Sequence, residues 1–311
     1  MKAWQFTGVN QPLRRAELPE PVPAAGEIVL AVKAAGICHS DVSFADGTIT
    51  SLLGHVPIVL GHETAGVVTA VGAGVTGFAV GDRVGIPATT DGPGTAVDGG
   101  FAEYTAVEAR LAVRVPDGVA FEQAAPAMDA ARTAYRAVRT VGQVGAGMNV
   151  GVIGFGGLGS LGAQIARAAG ATVYVAEVNE SVQALAREMG VGGVSADIRD
   201  FESAGLDVIV DFAGFGTTTA SAVDAVRHGG RVVQIGLARE TATLSMQKIT
   251  MKEITLVGAS NGEKSEAEAV LGLIATGALR SNTVPISFDE IPEYLGRLAD
   301  GTVAGRAVAL F

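Results

Sequence analysis

VGVIGFGGLG, residues 150–159, is the segment that decides the fold. It reads as a short apolar strand that runs into the pattern G-x-G-x-x-G and then into a helix. In this pattern Gly154 permits a tight turn, Gly156 lets the backbone approach a ligand, and Gly159 lets the helix pack against the strand. The N–H groups at the start of that helix favour a phosphate group. We therefore predict a dinucleotide site formed by Gly154, Gly156, Gly157, Leu158 and Gly159.

Strands and helices alternate after this loop. The predicted helices are Ser160–Ala169, Ser181–Met189 and Thr218–Val226, and the predicted strands are Thr172–Ala176, Asp207–Asp211 and Arg231–Ile235. Such alternation is typical of a parallel sheet with helices on both faces. We therefore predict an α/β fold with a Rossmann-type, doubly wound sheet domain.

An acidic residue, Glu177, follows the second strand of this domain. A carboxylate in this place accepts hydrogen bonds from the ribose hydroxyls of a dinucleotide and repels a 2′-phosphate. The sequence therefore favours NAD over NADP, with Glu177 as a cofactor-binding residue. A solvated carboxylate at a strand end is the alternative, and Asn179 nearby leaves use of both cofactors open.

The first 115 or so residues have a different texture. Short strands such as Glu27–Val32, Gly66–Gly72 and Asp82–Ile86 are separated by Gly and Pro, which indicates an irregular β-rich domain. A strand at Arg306–Phe311, after a helix at Ser265–Thr276, is predicted to return to that domain.

Composition excludes several classes of protein. The net charge is −10 with no basic stripe, so we expect no nucleic-acid partner. The N-terminus lacks the apolar core of a signal peptide, and glycines and polar residues interrupt the apolar stretch 150–176, so we expect no membrane partner. The single cysteine can form no internal disulfide, and we expect a cytoplasmic protein.

That cysteine, Cys38, is a candidate metal ligand. It lies in the segment GICHSD, residues 36–41, and the segment GHE, residues 61–63, contains His62. A lone thiol among ionisable neighbours is a poor core residue and a good metal ligand. A catalytic zinc ion takes three protein ligands and keeps one position open. Cys38 and His62 are candidates for two of the three.

These segments resemble the medium-chain dehydrogenase/reductase superfamily, in its zinc-dependent alcohol dehydrogenase branch. The segments VGDRV (80–84) and GGRVVQIG (229–236) belong to the same resemblance. It implies a GroES-like catalytic domain over 1–121, an NAD-binding Rossmann domain over 122–261, and a return to the catalytic domain over 262–311. It also implies an NAD(P)-dependent oxidoreductase acting on CH–OH donors, which moves hydride reversibly between a primary or secondary alcohol and NAD. Relatives of this kind are homodimers or homotetramers.

The resemblance also implies the catalytic residues. The third zinc ligand falls on Asp129, where family members usually have cysteine, so the implied catalytic set is Ser40, Cys38, His62 and Asp129. Ser40 carries the proton of the alcohol. Glu63 is implied as a neighbour or transient ligand of the metal, and Asp41 as a group that orients the ligands. A carboxylate that only begins a helix stays open for Asp129, and a structural turn for Asp41.

Further residues match family positions that contact the cofactor. His39 matches a position near the pyrophosphate. Thr133 and the segment DFAG, residues 211–214, which contains Phe212 and Ala213, resemble contacts on the nicotinamide side. Simple exposure of His39, and burial of Phe212 and Ala213 in the core, remain the alternatives.

The chain departs from the family pattern in three places. Residues 87–100, where many relatives carry four cysteines around a structural zinc ion, contain none, so we predict one catalytic zinc ion and no structural one. The relay histidine of the family is Ser43, so the proton path ends differently. Ala88 replaces a bulky aromatic residue, which indicates a roomier substrate pocket.

A zinc-free quinone or enone reductase of the same superfamily is the alternative enzyme, and a cofactor-binding sensor is the non-enzymatic alternative.

Overall fold

The computed structural model describes residues 1–311 and divides them into two compact units. Unit 1 consists of Met1–Asp129 and Glu263–Phe311, and unit 2 consists of Ala130–Gly262. These units are defined by packing, and the functional domain limits at 121/122 and 261/262 stay predictions.

The N-terminal part of unit 1 is built mainly from strands. Its strands are β1 (Lys2–Phe6), β2 (Arg14–Glu17), β3 (Glu27–Gly36), β4 (Ile58–Val59), β5 (Glu63–Val71), β6 (Arg83–Ile86), β7 (Tyr104–Glu108) and β8 (Val113–Arg114). Its helices are α1 (His39–Asp46) and α2 (Phe121–Pro126). Short 3₁₀ turns lie at Thr50–Leu52 and Ala109–Leu111.

Unit 2 alternates between helices and strands. Its helices are α3 (Arg132–Tyr135), α4 (Gly157–Ala168), α5 (Glu180–Glu188), α6 (Thr217–Ala225) and α7 (Met246–Met251). Its strands are β9 (Asn149–Ile153), β10 (Thr172–Ala176), β11 (Gly193–Ser195), β12 (Val208–Asp211), β13 (Arg231–Gln234) and β14 (Thr255–Gly258). The C-terminal part of unit 1 adds α8 (Lys264–Ala275), β15 (Thr283–Ser287), α9 (Ile291–Ala299) and β16 (Arg306–Leu310).

The main sheet of unit 1 is centred on β3. Its strand order is β15-β16-β3-β5-β6-β8, with β7 also paired to β3, and a second sheet has the order β2-β1-β4. Strand β3 pairs antiparallel with β5, where Gly36 lies opposite Glu63, and with β16, where Gly36 lies opposite Val308. The end of β3, the start of β5 and the C-terminal strand therefore meet at one place.

The core of unit 1 lies against these strands. Ile28 and Leu30 of β3 are buried together with Val68 and Val84 of the neighbouring strands. Burying a side chain of this size stabilises the fold by about 1.5–3 kcal/mol. The register of the sheet is strongly determined, because a slip by one residue would move these side chains to the opposite face.

Unit 2 is a parallel, doubly wound sheet, as the alternation predicts. The strand order is β11-β10-β9-β12-β13-β14, so the chain runs outward from β9 in one direction and then crosses over to continue from β12 in the other. In open α/β sheets, ligands bind outside the carboxyl ends of the strands at such a reversal. The glycine loop that follows β9 lies at this point.

None of the helices combines the length and the apolar composition that crossing a bilayer requires.

Candidate metal and dinucleotide sites

Four side chains of unit 1 form a compact cluster of possible metal ligands. Their ligand atoms all lie within 4.8 Å of one another, and the residues are Cys38, His62, Glu63 and Asp129. The first of these follows β3, the next two stand at the start of β5, and Asp129 lies in a π-helical turn, Ala127–Ala131, after α2. π-helical turns are rare in proteins, and many of those that occur lie at functional sites. The fold thus brings together the predicted donors from three separate segments.

Cys38 is fixed at the N-terminus of α1. Its backbone N–H donates to Asp41 Oδ2 at 2.9 Å, and the Asp41 N–H donates to the Cys38 carbonyl oxygen at 3.0 Å. Its Sγ lies 3.5 Å from Asp129 Oδ2.

His62 points its two ring nitrogens at two carboxylates. Nδ1 lies 3.2 Å from Asp41 Oδ1, and Nε2 lies 3.7 Å from Asp129 Oδ2. Burial alone lowers the pKa of His62, but the negative charge of Asp41, together with Asp129 and Cys38, raises that pKa well above its ordinary value. The ring is therefore held with Nε2 toward the other donors, as in metal sites where a carboxylate orients the ligating histidine.

Glu63 is fully buried beside this cluster and faces a cation from the C-terminal strand. Arg306 Nη1 lies 3.2 Å from Glu63 Oε1 and donates to the Ile37 carbonyl oxygen at 3.3 Å. Burial raises the pKa of Glu63 to about 7, against the opposing charge of Arg306. A Cβ on Gly36 would lie 2.0 Å from Glu63 Oε2, so only glycine leaves room for this carboxylate.

The chemistry of the cluster fits a zinc ion. It offers sulfur, imidazole nitrogen and carboxylate oxygen, which are the donors that zinc takes in proteins. Both carboxylate oxygens of Glu63 are buried and accept no hydrogen bond. Several acidic groups this close together, largely out of water, need a cation to balance them.

Ser40 and His39 begin helix α1 beside Cys38. The hydroxyl of Ser40 lies 3.9 Å from Cys38 Sγ, so the structure places it next to the donors. The side chain of His39 is exposed.

In unit 2, the glycine loop has the geometry that its sequence predicts. Gly154 adopts a positive φ of 81°, and a Cβ on Gly159 would lie 1.8 Å from the Gly154 carbonyl oxygen. Gly156 and Gly157 are exposed, and nothing lies within 4 Å of the place where a Cβ would stand on either. Helix α4 begins at Gly157, so its free N–H groups border this open space.

Glu177 lies next to that loop. Its Oε2 accepts the Phe155 N–H at 2.8 Å, and its Oε1 accepts the Asn179 N–H at 2.9 Å. Asn179 itself begins helix α5, where its side chain accepts the Ser181 N–H. The carboxylate is therefore held at the carboxyl end of β10, where the sequence predicts contact with a ribose.

The remaining predicted residues of unit 2 lie on two elements. Thr133 is buried in α3. Phe212 packs its ring against helix α4, since a Cβ on Gly162 would lie 2.5 Å from its Cζ. Ala213 lies beside the glycine loop, with its Cβ 3.2 Å from the Cβ position of Gly154.

Comparisons with known proteins match both parts of the chain to one family. Residues 24–117 match the family model of the alcohol dehydrogenase GroES-like domain, and residues 157–276 match that of the zinc-binding dehydrogenase. An NAD-dependent alcohol dehydrogenase of Saccharolobus solfataricus is 30% identical over an alignment 354 positions long, covering 100% of both chains. The chain belongs to the zinc-type alcohol dehydrogenases of the medium-chain dehydrogenase/reductase superfamily. An alcohol dehydrogenase of Geobacillus stearothermophilus is 29% identical over an alignment 335 positions long, covering 99% of each chain.

A solved structure of the same family extends the likeness to three dimensions. The alcohol dehydrogenase of Aeropyrum pernix superposes with a TM-score of 0.87 at 29% identity, covering 100% of each chain. This confirms the predicted fold, a GroES-like part joined to a Rossmann-type part.

The sequence does not predict the role of Arg306, nor the hydrogen-bond partners of Asp211 in the segment 211–214. Arg306 contacts Glu63 only because β16 pairs with β3, and no local sequence pattern predicts that pairing. Asp211, the last residue of β12, is fully buried among hydrogen-bond donors. Its position at a strand end was visible, but its partners were not.

Proposed function

We propose that this chain is an NAD-dependent alcohol dehydrogenase that moves hydride reversibly between a primary or secondary alcohol and NAD. The observation that carries the proposal is the cluster of sulfur, nitrogen and oxygen donors within 4.8 Å in unit 1. A zinc-free reductase has no use for such a cluster. The glycine loop and Glu177 in unit 2 supply the dinucleotide site that the same reaction needs.

In this proposal Cys38, His62 and Asp129 hold one zinc ion, and the chain has no structural zinc. When bound, the ion acts as a Lewis acid that lowers the pKa of an alcohol and polarises a carbonyl group. Asp41 keeps the His62 ring in place through Nδ1, so that Nε2 remains directed at the metal position. Glu63 lies close enough to add or withdraw a fourth donor, a carboxylate oxygen.

Ser40 moves the proton of the alcohol. Its Oγ accepts that proton while its own proton passes toward solvent, since the family's relay histidine is Ser43 here. The residue is partly exposed, so water can reach the hydroxyl.

In unit 2, Gly156 and Gly157 leave the open space for the pyrophosphate. The free N–H groups at the start of α4 donate to it. Each carboxylate oxygen of Glu177 accepts one backbone N–H and retains a lone pair for a ribose hydroxyl. The carboxylate repels a 2′-phosphate, which favours NAD over NADP.

The first experiment is elemental analysis of protein purified without added metal or chelator, combined with assays on alcohols, ketones, quinones and enones. About one zinc ion per chain and NAD-linked turnover of alcohols support the proposal. Cys38→Ser is expected to lose both zinc and activity, and Ser51→Ala, at an exposed serine of the turn Thr50–Leu52, serves as the control that keeps both. Absence of zinc together with turnover of quinones or enones would replace the proposal with the zinc-free reductase.

We also propose a homodimer or homotetramer in the cytoplasm. Strand β14 is the edge of its sheet. Its Leu256 side chain is exposed, and so are Met246 and Met251 at the two ends of the preceding helix α7. An exposed apolar edge strand is a ready surface for pairing with another chain. Light scattering on the purified protein and on Leu256→Lys tests this, because the lysine is expected to shift the mass toward the monomer.

A further inference from the structure

Asp211 is a buried carboxylate that holds one turn together. It ends β12 with no solvent exposure, and its Oδ1 accepts the backbone N–H groups of Ala213 at 3.0 Å and Gly214 at 2.9 Å. Its Oδ2 accepts the hydroxyl groups of Thr218 at 2.8 Å and Thr219 at 2.9 Å. One side chain thus satisfies four donors from the turn and from the start of α6. A buried charge is stable only when it is bonded in this way.

The turn that Asp211 holds contacts the glycine loop directly. Ala213 lies 3.2 Å from the Cβ position of Gly154, the residue whose positive φ makes the tight turn of the loop. The Phe212 ring lies 2.5 Å from the Cβ position of Gly162, one helical turn after Gly159. The structure therefore requires glycine at position 162 as well as in the G-x-G-x-x-G pattern, because any side chain there would displace the Phe212 ring.

The sheet determines why these elements meet. Strands β9 and β12 are parallel neighbours, and Asp211 lies opposite Ile153, the residue just before Gly154. The turn after β12 and the loop after β9 therefore lie side by side at the carboxyl ends of the two strands. A shift of either backbone is passed to the other through Ala213 and Phe212.

We propose that Asp211 is a positioning residue for the dinucleotide: it holds the 212–214 turn against the glycine loop and so determines the affinity for NAD. The inference rests on the proposed function, because it requires that the loop binds NAD. Asp211 touches neither the metal cluster nor the exposed side of the loop, so its effect is on cofactor affinity and not on zinc content.

The test is the dissociation constant of NADH, measured by fluorescence titration, together with KM for NAD, kcat and zinc content. Asp211→Ala is expected to raise Kd and KM about tenfold, because the turn that loses its four hydrogen bonds no longer holds the glycine loop in its binding geometry. The value of kcat at saturating NAD and the zinc content stay near those of the parent. Gly162→Ala reaches the same contact from the other side, and alanine favours the helix, so it keeps the test open if Asp211→Ala does not fold.

Asp207 supplies the matched control. It is also a carboxylate of unit 2, accepts the Asn149 N–H at 2.7 Å and contacts Arg227 Nε at 2.7 Å. However, it precedes β12 and therefore lies at the amino ends of the strands, away from the glycine loop. Asp207→Asn is expected to lower stability without changing the Kd of NADH. Unchanged Kd in both Asp211→Ala and Gly162→Ala overturns the inference, as does an equal rise in Asp207→Asn. Failure of the parent protein to bind NADH would instead overturn the proposed function itself.

Discussion

Removing Arg306 from its buried ion pair with Glu63 is expected to destabilise unit 1 strongly. Glu63 is 0% exposed and Arg306 is 9% exposed, with 3.2 Å between Nη1 and Oε1. Removing one partner of such a pair leaves a buried charge without compensation, which costs about 3–5 kcal/mol. Arg306→Met keeps an unbranched apolar side chain but removes the guanidinium group, with its charge and its hydrogen bond to the Ile37 carbonyl oxygen. We therefore expect a loss of that size in the free energy of unfolding.

The loss depends on pH because Glu63 can take up a proton. Burial raises the pKa of Glu63 to about 7 in the presence of Arg306, and removing that cation raises it further. A carboxyl group whose pKa is higher in the folded protein than in the unfolded chain loses stabilisation as the pH rises through the folded pKa. The cost of Arg306→Met is therefore smaller at about pH 6 than at about pH 8.5. It changes by up to about 1.4 kcal/mol per pH unit between the pKa of Glu63 in the folded parent and the higher pKa of Glu63 in the folded variant.

Urea unfolding of the metal-free protein, followed by tryptophan fluorescence, measures this cost. Trp4 is the only tryptophan of the chain and lies in unit 1, so its signal reports the unit that contains the ion pair. Arg110→Met is the matched control, since Arg110 contacts Asp91 at 2.8 Å with both side chains more than half exposed. Exposed pairs are screened by water and contribute little. Equal midpoints for the two variants, or a loss that does not grow with pH, would refute the reasoning.

Three further predictions concern the two sites. Asp129→Ala is expected to lose zinc, whereas Asp129→Cys, which restores a thiolate at that position, is expected to keep it; equal zinc in both would remove Asp129 from the ligand set. Because the pKa of His62 is raised well above its ordinary value, zinc must displace a proton from it, so apparent zinc affinity falls as the pH is lowered, and competition with a chelator at several pH values measures this. Gly159→Ala places a methyl group 1.8 Å from the Gly154 carbonyl oxygen and is expected to raise the Kd of NADH by at least about tenfold, whereas Gly272→Ala, in α8 with nothing within 4 Å, leaves it unchanged.

The secondary structure of unit 2 was predictable because its signals are local. Strand Thr172–Ala176 has the predicted limits, and the predicted helix Ser181–Met189 differs from α5 by one residue at each end. Helix α4 begins at Gly157 and not at Ser160, because its first turn is formed inside the glycine loop. Fully buried parallel strands read as continuous apolar runs between turns, and such runs are easily recognised.

Unit 1 was harder to predict for a physical reason. Strands β4 and β8 have two residues each, too few for any alternation to be visible, and they form only by pairing with strands far away in the sequence. Helix α1 buries only Asp41 and Phe44, so it lacks the apolar stripe that identifies a helix. These elements form because they pack or pair with distant segments, and local sequence patterns do not predict which segments those are.

The same division explains which parts of the metal cluster were visible in advance. Cys38 and His62 stand in short segments whose residue types already indicate metal binding, but their proximity follows from the register that pairs Gly36 with Glu63. Both donors stand within two residues of that pair, so the sheet and not a flexible loop determines the distance between them. Arg306 enters through the adjacent register on the other side of β3. Side-chain chemistry thus indicated the donors, whereas strand pairing supplied the cation that balances Glu63 and the glycine that leaves it room.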